Sequence, residues 1–304
     1  MLIDKLQDLT PLQKTAAVVV ALVVIVGGFL WLRPNESEQV TAAREQSHRA
    51  DSLALCITCT PTLESLPLYH AVESGICDTL GLTLVIDTEW SQFDVDSVYR
   101  NTPLCDGAVL DAYRIEHYQK TKLALDAVEQ YRLVGRWGLA SSGHMRLNSP
   151  SLLKKHVVAS ARHATSYHCL EKSLGGTDVK MAQLYHAQIN DYMLRLNMLD
   201  NAQVEASLLP EPFFSFALHR GHRNVWVGDS VTTLGLYMKK SALKEKHTQM
   251  QLKLLAQAYN MAVDDLNAHG AKAANEALAL HYALPQEVID RVPLPRYTHV
   301  AESK

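Results

Sequence analysis

The fold class is indicated by the run Leu66-Pro-Leu-Tyr-His-Ala-Val-Glu-Ser-Gly75, followed by Gly81-Leu-Thr-Leu-Val-Ile86. This stretch predicts a helix and then a strand. Its first part predicts a helix over residues 66–80 that ends at Gly81, because glycine commonly terminates helices. Residues 82–88 then predict a strand, and residues 53–58 predict another strand before the helix. A strand, a helix and a second strand in this order indicate the parallel layers of an α/β fold.

The same alternation continues along the chain, so the sequence predicts two α/β units in series. In the first unit, residues 105–110 and 131–141 predict strands. The second unit has predicted strands at residues 156–161, 181–188, 204–209 and 224–227, and predicted helices at 165–174, 191–199 and 212–219. After these units Leu252, Leu255, Tyr259, Ala262 and Leu266 step by three and four residues, which predicts an amphipathic helix.

Composition fits a globular chain and excludes several classes of protein. The chain has 304 residues, of which 47% are hydrophobic and 20% are charged, enough for a sizeable core and too apolar for general disorder. Lys and Arg number 29 against 32 Asp and Glu, with no basic run, so we expect no nucleic-acid partner. Five cysteines are too few for a disulfide scaffold.

The N-terminal segment predicts a membrane anchor. Residues 15–32 read TAAVVVALVVIVGGFLWL, eighteen residues without a charge, against the ~20 apolar residues of a typical spanning helix. Bulky residues end the stretch where a signal peptidase would need small ones, so we expect an uncleaved anchor. The prediction therefore has a cytoplasmic tail at 1–14, a transmembrane helix at 15–32, a polar linker at 33–51, and a large periplasmic domain. The alternative is a buried core helix.

The loop at residues 58–67 follows a predicted strand and precedes a helix. In open α/β sheets, ligands bind beyond the carboxyl ends of the strands. The hydroxyl side chains of Thr60 and Ser65 therefore predict a polar loop that contacts a ligand. The alternative interpretation is that Ser65 only caps the next helix.

A second loop, Arg162-His163-Ala164-Thr165-Ser166, also connects a predicted strand to a helix. The N-terminus of that helix offers free N–H groups, and the forked guanidinium of Arg162 suits a carboxylate or a phosphate. This combination favours contact with an anionic or strongly polar ligand group. The alternative is that Thr165 or Ser166 caps the helix while Arg162 is solvated.

Two further strand ends carry polar residues. The prolines on both sides of Glu211 restrict its backbone, which would direct the carboxylate beyond the strand and toward a ligand amine or ring nitrogen. A rigid turn that begins a helix is the alternative. Asn190 and Asp191 follow the predicted strand at 181–188, and either of them could cap the next helix.

The remaining chemical patterns predict no catalytic residues, no metal and no cofactor. Cys56 and Cys59 form a CxxC, but on a predicted strand residues three apart face opposite sides. His163, His168 and Cys169 are close in sequence without the spacing of a metal site. Because no nucleophile and base come together, we expect a protein that is not an enzyme.

These segments resemble periplasmic substrate-binding proteins of ABC importers. The branch concerned includes the nitrate, taurine and aliphatic-sulfonate binders and the thiamine-pyrimidine proteins. Residues 66–75 and 81–86 are similar to the family's proline–aromatic helix and the strand after it. Residues 204–212 are similar to the family's segment that ends in Glu-Pro. Residues 152–158 are similar to the family's segment that leads into the second lobe. The resemblance covers about residues 52–300.

The resemblance implies a class II periplasmic-binding-protein fold, with two α/β lobes joined by a two-strand hinge. In this division residues 52–140 and 229–304 form the first lobe and residues 141–228 the second. We expect the chain to cross between the lobes near 138–141 and 227–230, where small residues could absorb rotation.

The resemblance also implies a function and its partners. The chain would be a membrane-anchored solute-binding protein that closes over a small polar or anionic organic molecule, with an ABC permease and ATPase as partners. The implied ligand-binding residues are the ones named above: Thr60, Ser65, Arg162, His163, Thr165, Ser166, Asn190, Asp191 and Glu211. The alternative is a periplasmic sensory or scaffold protein with the same fold and no transport role.

Overall fold

A computed structural model describes residues 54–301 of the chain, which form two five-stranded sheets with flanking helices. The strands are β1 (Leu55–Cys59), β2 (Leu84–Thr88), β3 (Gly107–Asp111), β4 (Ala127–Arg132), β5 (Gly135–Ser141), β6 (Val157–Ser160), β7 (Tyr185–Gln188), β8 (Ala206–Pro210), β9 (Arg223–Val231) and β10 (Leu234–Lys239). The helices are α1 (Leu66–Glu73), α2 (Ile76–Leu80), α3 (Gln92–Asn101), α4 (Ala112–Gln119), α5 (Thr165–Leu174), α6 (Tyr192–Asp200), α7 (Phe213–His219), α8 (Lys246–His269), α9 (Asn275–His281) and α10 (Gln286–Ile289).

Each sheet combines parallel and antiparallel strands. The first has the order β2-β1-β3-β10-β4, in which β1 is parallel to β2 and β3 while β10 is antiparallel to both neighbours. The second has the order β7-β6-β8-β5-β9, with β6 parallel to β7 and β8 and with β5 antiparallel to both of its neighbours. We call residues 54–132 with 234–301 lobe 1, and residues 135–231 lobe 2.

The chain crosses between the lobes at residues 133–134 and 232–233, outside the positions expected from the sequence. The predicted strand at 131–141 is in fact two strands, β4 in the first sheet and β5 in the second. The two crossings lie side by side, because the Leu133 N–H donates to the Leu234 carbonyl oxygen at 2.9 Å. Gly138 lies within β5, where an added Cβ would be 2.3 Å from the Phe214 ring. That glycine therefore allows close packing and does not lie at the crossing.

Local departures from the predicted elements have identifiable causes. The helix predicted at 66–80 is divided into α1 and α2 by Gly75, which has a left-handed φ of 75°. Within the strand predicted at 181–188, Met181–Gln183 forms a 3-10 turn and only the remainder is β7. Helices α3 and α4 were not predicted, although Ser91 and Asp111 cap them by accepting hydrogen bonds from backbone N–H groups.

The predicted C-terminal amphipathic helix is present as α8. All five of its predicted core residues are buried: Leu252, Leu255, Tyr259, Ala262 and Leu266. It packs against α1 of lobe 1, and a 2.7 Å hydrogen bond between His70 Nε2 and Asp265 Oδ2 joins the two helices. The C-terminal helices thus complete lobe 1.

The predicted tail, anchor and linker at residues 1–51 lie outside the described residues. Between residues 54 and 301, none of the helices combines the length and the apolar character that crossing a membrane requires.

Candidate functional site

Loops at the carboxyl ends of strands from both sheets meet between the lobes. The Leu63 N–H after β1 donates to the Glu211 carbonyl oxygen after β8 at 3.0 Å. Farther along the same junction, the Tyr192 N–H in lobe 2 donates to the Trp90 carbonyl oxygen in lobe 1 at 3.3 Å. These contacts show that the two lobes are closed on each other, with their strand ends at the junction.

A small cavity lies at this junction. Lobe 1 contributes Gln92, Phe93, Asp111 and Arg114 to its wall, and lobe 2 contributes Trp137, Ala161, Ala164, Ser166, Asn190, Tyr192 and Arg195. The volume of this cavity is about 10 Å³, which is enough for roughly one water molecule. In the closed arrangement, the chain's own side chains therefore leave little free space in this cavity.

Arg195 of α6 brings a buried positive charge to the cavity. Its side chain is 1% exposed and donates to the Ile189 and Leu208 carbonyl oxygens at 2.8 and 2.9 Å. Burial lowers the pKa of this guanidinium to about 10, so it stays charged at neutral pH. Among residues 54–301, no carboxylate forms an ion pair with it. Its hydrogen bonds all go to neutral oxygens, and its Cζ lies 5.4 Å from the centre of the Tyr192 ring.

Arg114 of α4 reaches the same cavity from lobe 1, but it is neutralised. Its Nε donates to Asp96 Oδ2 at 2.5 Å, and its Nη2 donates to the Tyr118 hydroxyl at 2.5 Å. Arg114 and Asp96 are both buried, so the pair fixes the guanidinium at the cavity wall.

Asp111, the last residue of β3, is buried where the lobes meet. Its Oδ1 accepts from the Tyr113 N–H at 3.0 Å, while its Oδ2 accepts from the Thr165 N–H of lobe 2 at 2.6 Å. Burial raises the pKa of this carboxyl to about 6, against the effect of the two N–H donors. The carboxylate of lobe 1 thus forms a hydrogen bond with the N-terminus of α5 in lobe 2.

Neither predicted residue of the first loop lines the cavity. Thr60 is fully buried, and its Oγ1 accepts from Gln92 Nε2 at 3.1 Å. Ser65 is also fully buried at the N-cap position of α1, but its side chain makes no capping hydrogen bond. Ser65 therefore occupies the cap position without capping the helix through its side chain.

The predicted residues at 162–166 are divided between the surface and the junction. Arg162 and His163 are exposed, and the His163 ring stacks on His117 of lobe 1 with centroids 3.9 Å apart. Thr165 is buried and contacts Asp111 as described. Ser166 lines the cavity, and its Oγ accepts from the Ala161 N–H at 2.9 Å.

The last three predicted residues also differ in their positions. Asn190 lines the cavity and accepts from Gln188 Nε2 at 2.9 Å. Asp191 caps α6, since its Oδ1 accepts from the Leu194 N–H at 2.6 Å. Glu211 is fully buried beside the cavity, and its Oε2 accepts from the Ser215 N–H at 3.0 Å. The structure thus brings Ser166 and Asn190 to the cavity and leaves the other predicted residues around it.

Sequence reasoning missed Arg195 and Asp111, and for Arg195 a usable pattern exists. Arg195 follows Tyr192 by three residues and precedes Leu199 by four, so it occupies the apolar face of the predicted helix. A charged residue on such a face needs a buried partner or a ligand. Asp111 ends an apolar run, where it looks like an ordinary helix cap.

Comparison with known proteins identifies the fold. No family model and no curated protein matches the sequence. The nitrate-binding protein NrtA from Synechocystis PCC 6803 is 12% identical, with a TM-score of 0.68 over 83% of this chain and 74% of that chain. A ligand-binding component of an ABC-type import system from Staphylococcus aureus, solved with zinc, is 15% identical, with a TM-score of 0.66 over 81% and 86%.

A third similar structure is the alkanesulfonate-binding protein SsuA from Xanthomonas axonopodis pv. citri bound to MOPS. It is 15% identical, with a TM-score of 0.65 over 81% of this chain and 86% of that chain. Residues 54–301 therefore have the two-lobed fold of periplasmic binding proteins, as the sequence resemblance implied.

Proposed function

We propose that this chain is a solute-binding protein of an ABC-type importer and not an enzyme. Its lobes would close over a small polar or anionic organic molecule. The observation that carries the proposal is the Arg195 guanidinium, which lines the cavity between the lobes without a carboxylate partner. A buried charge held only by neutral oxygens favours an ion of opposite sign.

The known ligands of similar folds support the same class of molecule. Two of the similar structures are, by name, binding proteins for nitrate and for alkanesulfonate, and the second was solved with MOPS. Both are oxyanions whose oxygens can accept from a guanidinium fork and from the N–H groups at a helix N-terminus. This chain places Arg195 and the start of α5 at one junction.

Removing the guanidinium fork of Arg195 tests the site. We expect Arg195→Lys to weaken binding of the best anion among nitrate, sulfate and methanesulfonate by roughly 10–100-fold, because a charged hydrogen bond contributes ~1.5–3 kcal/mol. Titration calorimetry measures the change. Arg162→Ala is the matched comparison, since Arg162 is exposed outside the cavity. If Arg162→Ala weakens binding and Arg195→Lys leaves it unchanged, the anion binds at the surface loop instead.

The membrane anchor is a further part of the proposal and rests on the uncharged run at residues 15–32. Such a segment is held in a bilayer by apolar burial, which salt does not weaken. We expect the full chain to stay with the membrane fraction in 1 M salt and to be released by detergent. A chain recovered in the periplasm that begins after residue 32 would contradict this expectation.

A sensory or scaffold protein in the periplasm is the second candidate function. The observation that favours it is the small size of the cavity beside Arg195, which has room for roughly one water molecule. Neighbouring genes for a permease and an ATPase would favour transport, and their absence would favour the second candidate.

A further inference from the structure

One carboxylate caps two helices that belong to different lobes. Asp111 accepts from the Tyr113 N–H at the start of α4 in its own lobe, at 3.0 Å. It also accepts from the Thr165 N–H at the start of α5 in the opposite lobe, at 2.6 Å. Asp111 and Thr165 are 1% and 0% exposed, so water does not compete for these bonds. Closure of the lobes therefore brings a negative charge to the N-terminus of α5.

Helix α5 has no cap of its own. Its N-cap residue is Ala164, which makes no side-chain capping bond. A helix start leaves unsatisfied N–H groups and a partial positive charge, which a carboxylate or an oxyanion stabilises. When the lobes separate, α5 loses the cap from Asp111. Its N-terminus then needs another acceptor.

The cavity next to Asp111 contains a further polar atom without a partner. Gln92 lines this cavity and is 6% exposed, and within residues 54–301 its Oε1 has no hydrogen-bond partner. Arg195 lines the same cavity from lobe 2. Arg195 can therefore donate to an oxyanion in this cavity, whereas the Gln92 oxygen can only accept from a donor, such as the water molecule for which the cavity has room.

We propose that Asp111 is an internal substitute for the anionic group of the ligand. It holds the lobes closed when no ligand is bound, and an oxyanion displaces it from the N-terminus of α5 on binding. This inference rests on the proposed function of the chain as an anion-binding protein. After displacement, Asp111 still caps α4 through Oδ1, so lobe 1 keeps its own helix cap.

Asp111→Asn separates the two contacts of this carboxylate. Asparagine is as good a helix N-cap as aspartate, so its Oδ1 can still accept from the Tyr113 N–H. The amide nitrogen that replaces Oδ2 cannot accept from the Thr165 N–H. Asp126→Asn is the matched control, because Asp126 is also in lobe 1 but pairs with Lys240 at the surface. It removes the same charge without touching the junction.

The experiment uses the full chain in detergent micelles, with nitrate and methanesulfonate as probes. Without anion, we expect the amides of residues 165–168 to exchange with deuterium at least tenfold faster in Asp111→Asn than in wild type. The variant should also bind the better of the two anions at least tenfold more tightly in calorimetry. Saturation with that anion should return the exchange of the variant to the wild-type rate. Asp126→Asn should match wild type in each measurement.

The other outcomes overturn the inference in distinguishable ways. If wild type and Asp111→Asn bind the anion equally well, the chain is an anion-binding protein but Asp111 does not compete with the ligand. If exchange at α5 is unchanged by the substitution, the carboxylate does not hold the lobes closed. If neither protein binds an anion while exchange in the variant accelerates, the proposed function also fails and Asp111 is only a structural cap.

Discussion

Replacing Trp137 with alanine is expected to lower the free energy of unfolding by about 3–5 kcal/mol. Trp137 is 1% exposed in the centre of β5, and its ring packs edge-on against Tyr192 at a centroid distance of 6.0 Å. The substitution leaves a cavity that neighbouring strands cannot fill, because β5 is paired on both sides. Urea denaturation followed by circular dichroism measures the change.

Trp137→Phe separates the loss of packing from the loss of a hydrogen bond between the lobes. Trp137 Nε1 donates to Glu64 Oε1 at 2.8 Å, and the buried Glu64 Oε2 has no partner within the described part of the chain. Phenylalanine keeps most of the ring but removes the Trp137 donor from this buried carboxyl, which should cost about 1–3 kcal/mol. A loss below 1 kcal/mol for Trp137→Ala would contradict the assignment of this ring to the core.

The fold class could be predicted because strand and helix periodicities are local properties of the sequence. Each apolar run between polar loops indicates one element, and their alternation indicates α/β layers. The crossing between the lobes could not be placed in this way. Leu133 and Val134 are apolar and buried, so they continue the pattern of the strands on both sides. Local apolarity does not tell to which of two sheets a residue belongs.

The candidate cavity could be predicted at the level of loops and not of side chains. Ligands bind at the carboxyl ends of strands in α/β folds, and Ser166 and Asn190 do lie at the cavity there. Arg162 is exposed instead, although Ala161 and Ala164 of the same loop line the cavity. Asp111 caps its own helix, but whether it also accepts a hydrogen bond from the opposite lobe depends on how the lobes close. That information is absent from any single segment.

Stability is expected to fall as the pH rises from about 4.5 to about 7, with Glu211 as a main cause. Burial raises the pKa of this carboxyl from 4.5 to about 7, so the folded chain keeps a proton that the unfolded chain releases. The contribution is fully present below pH 4.5 and is lost as the pH rises through 7. Asp111 acts in the same direction, since burial raises its pKa to about 6.

Glu211→Gln tests this account, because glutamine keeps an acceptor for the Ser215 N–H but cannot ionise. The variant should be more stable than wild type at pH 8 by up to about 3 kcal/mol, the value of a shift of this size, and nearly equal to it at pH 5. Urea denaturation at both pH values measures the difference. Glu116→Gln is the control, because Lys120 lowers the pKa of that exposed carboxyl, so it stays ionised throughout. Parallel stability profiles for wild type and Glu211→Gln would show that Glu211 is already ionised in the folded chain.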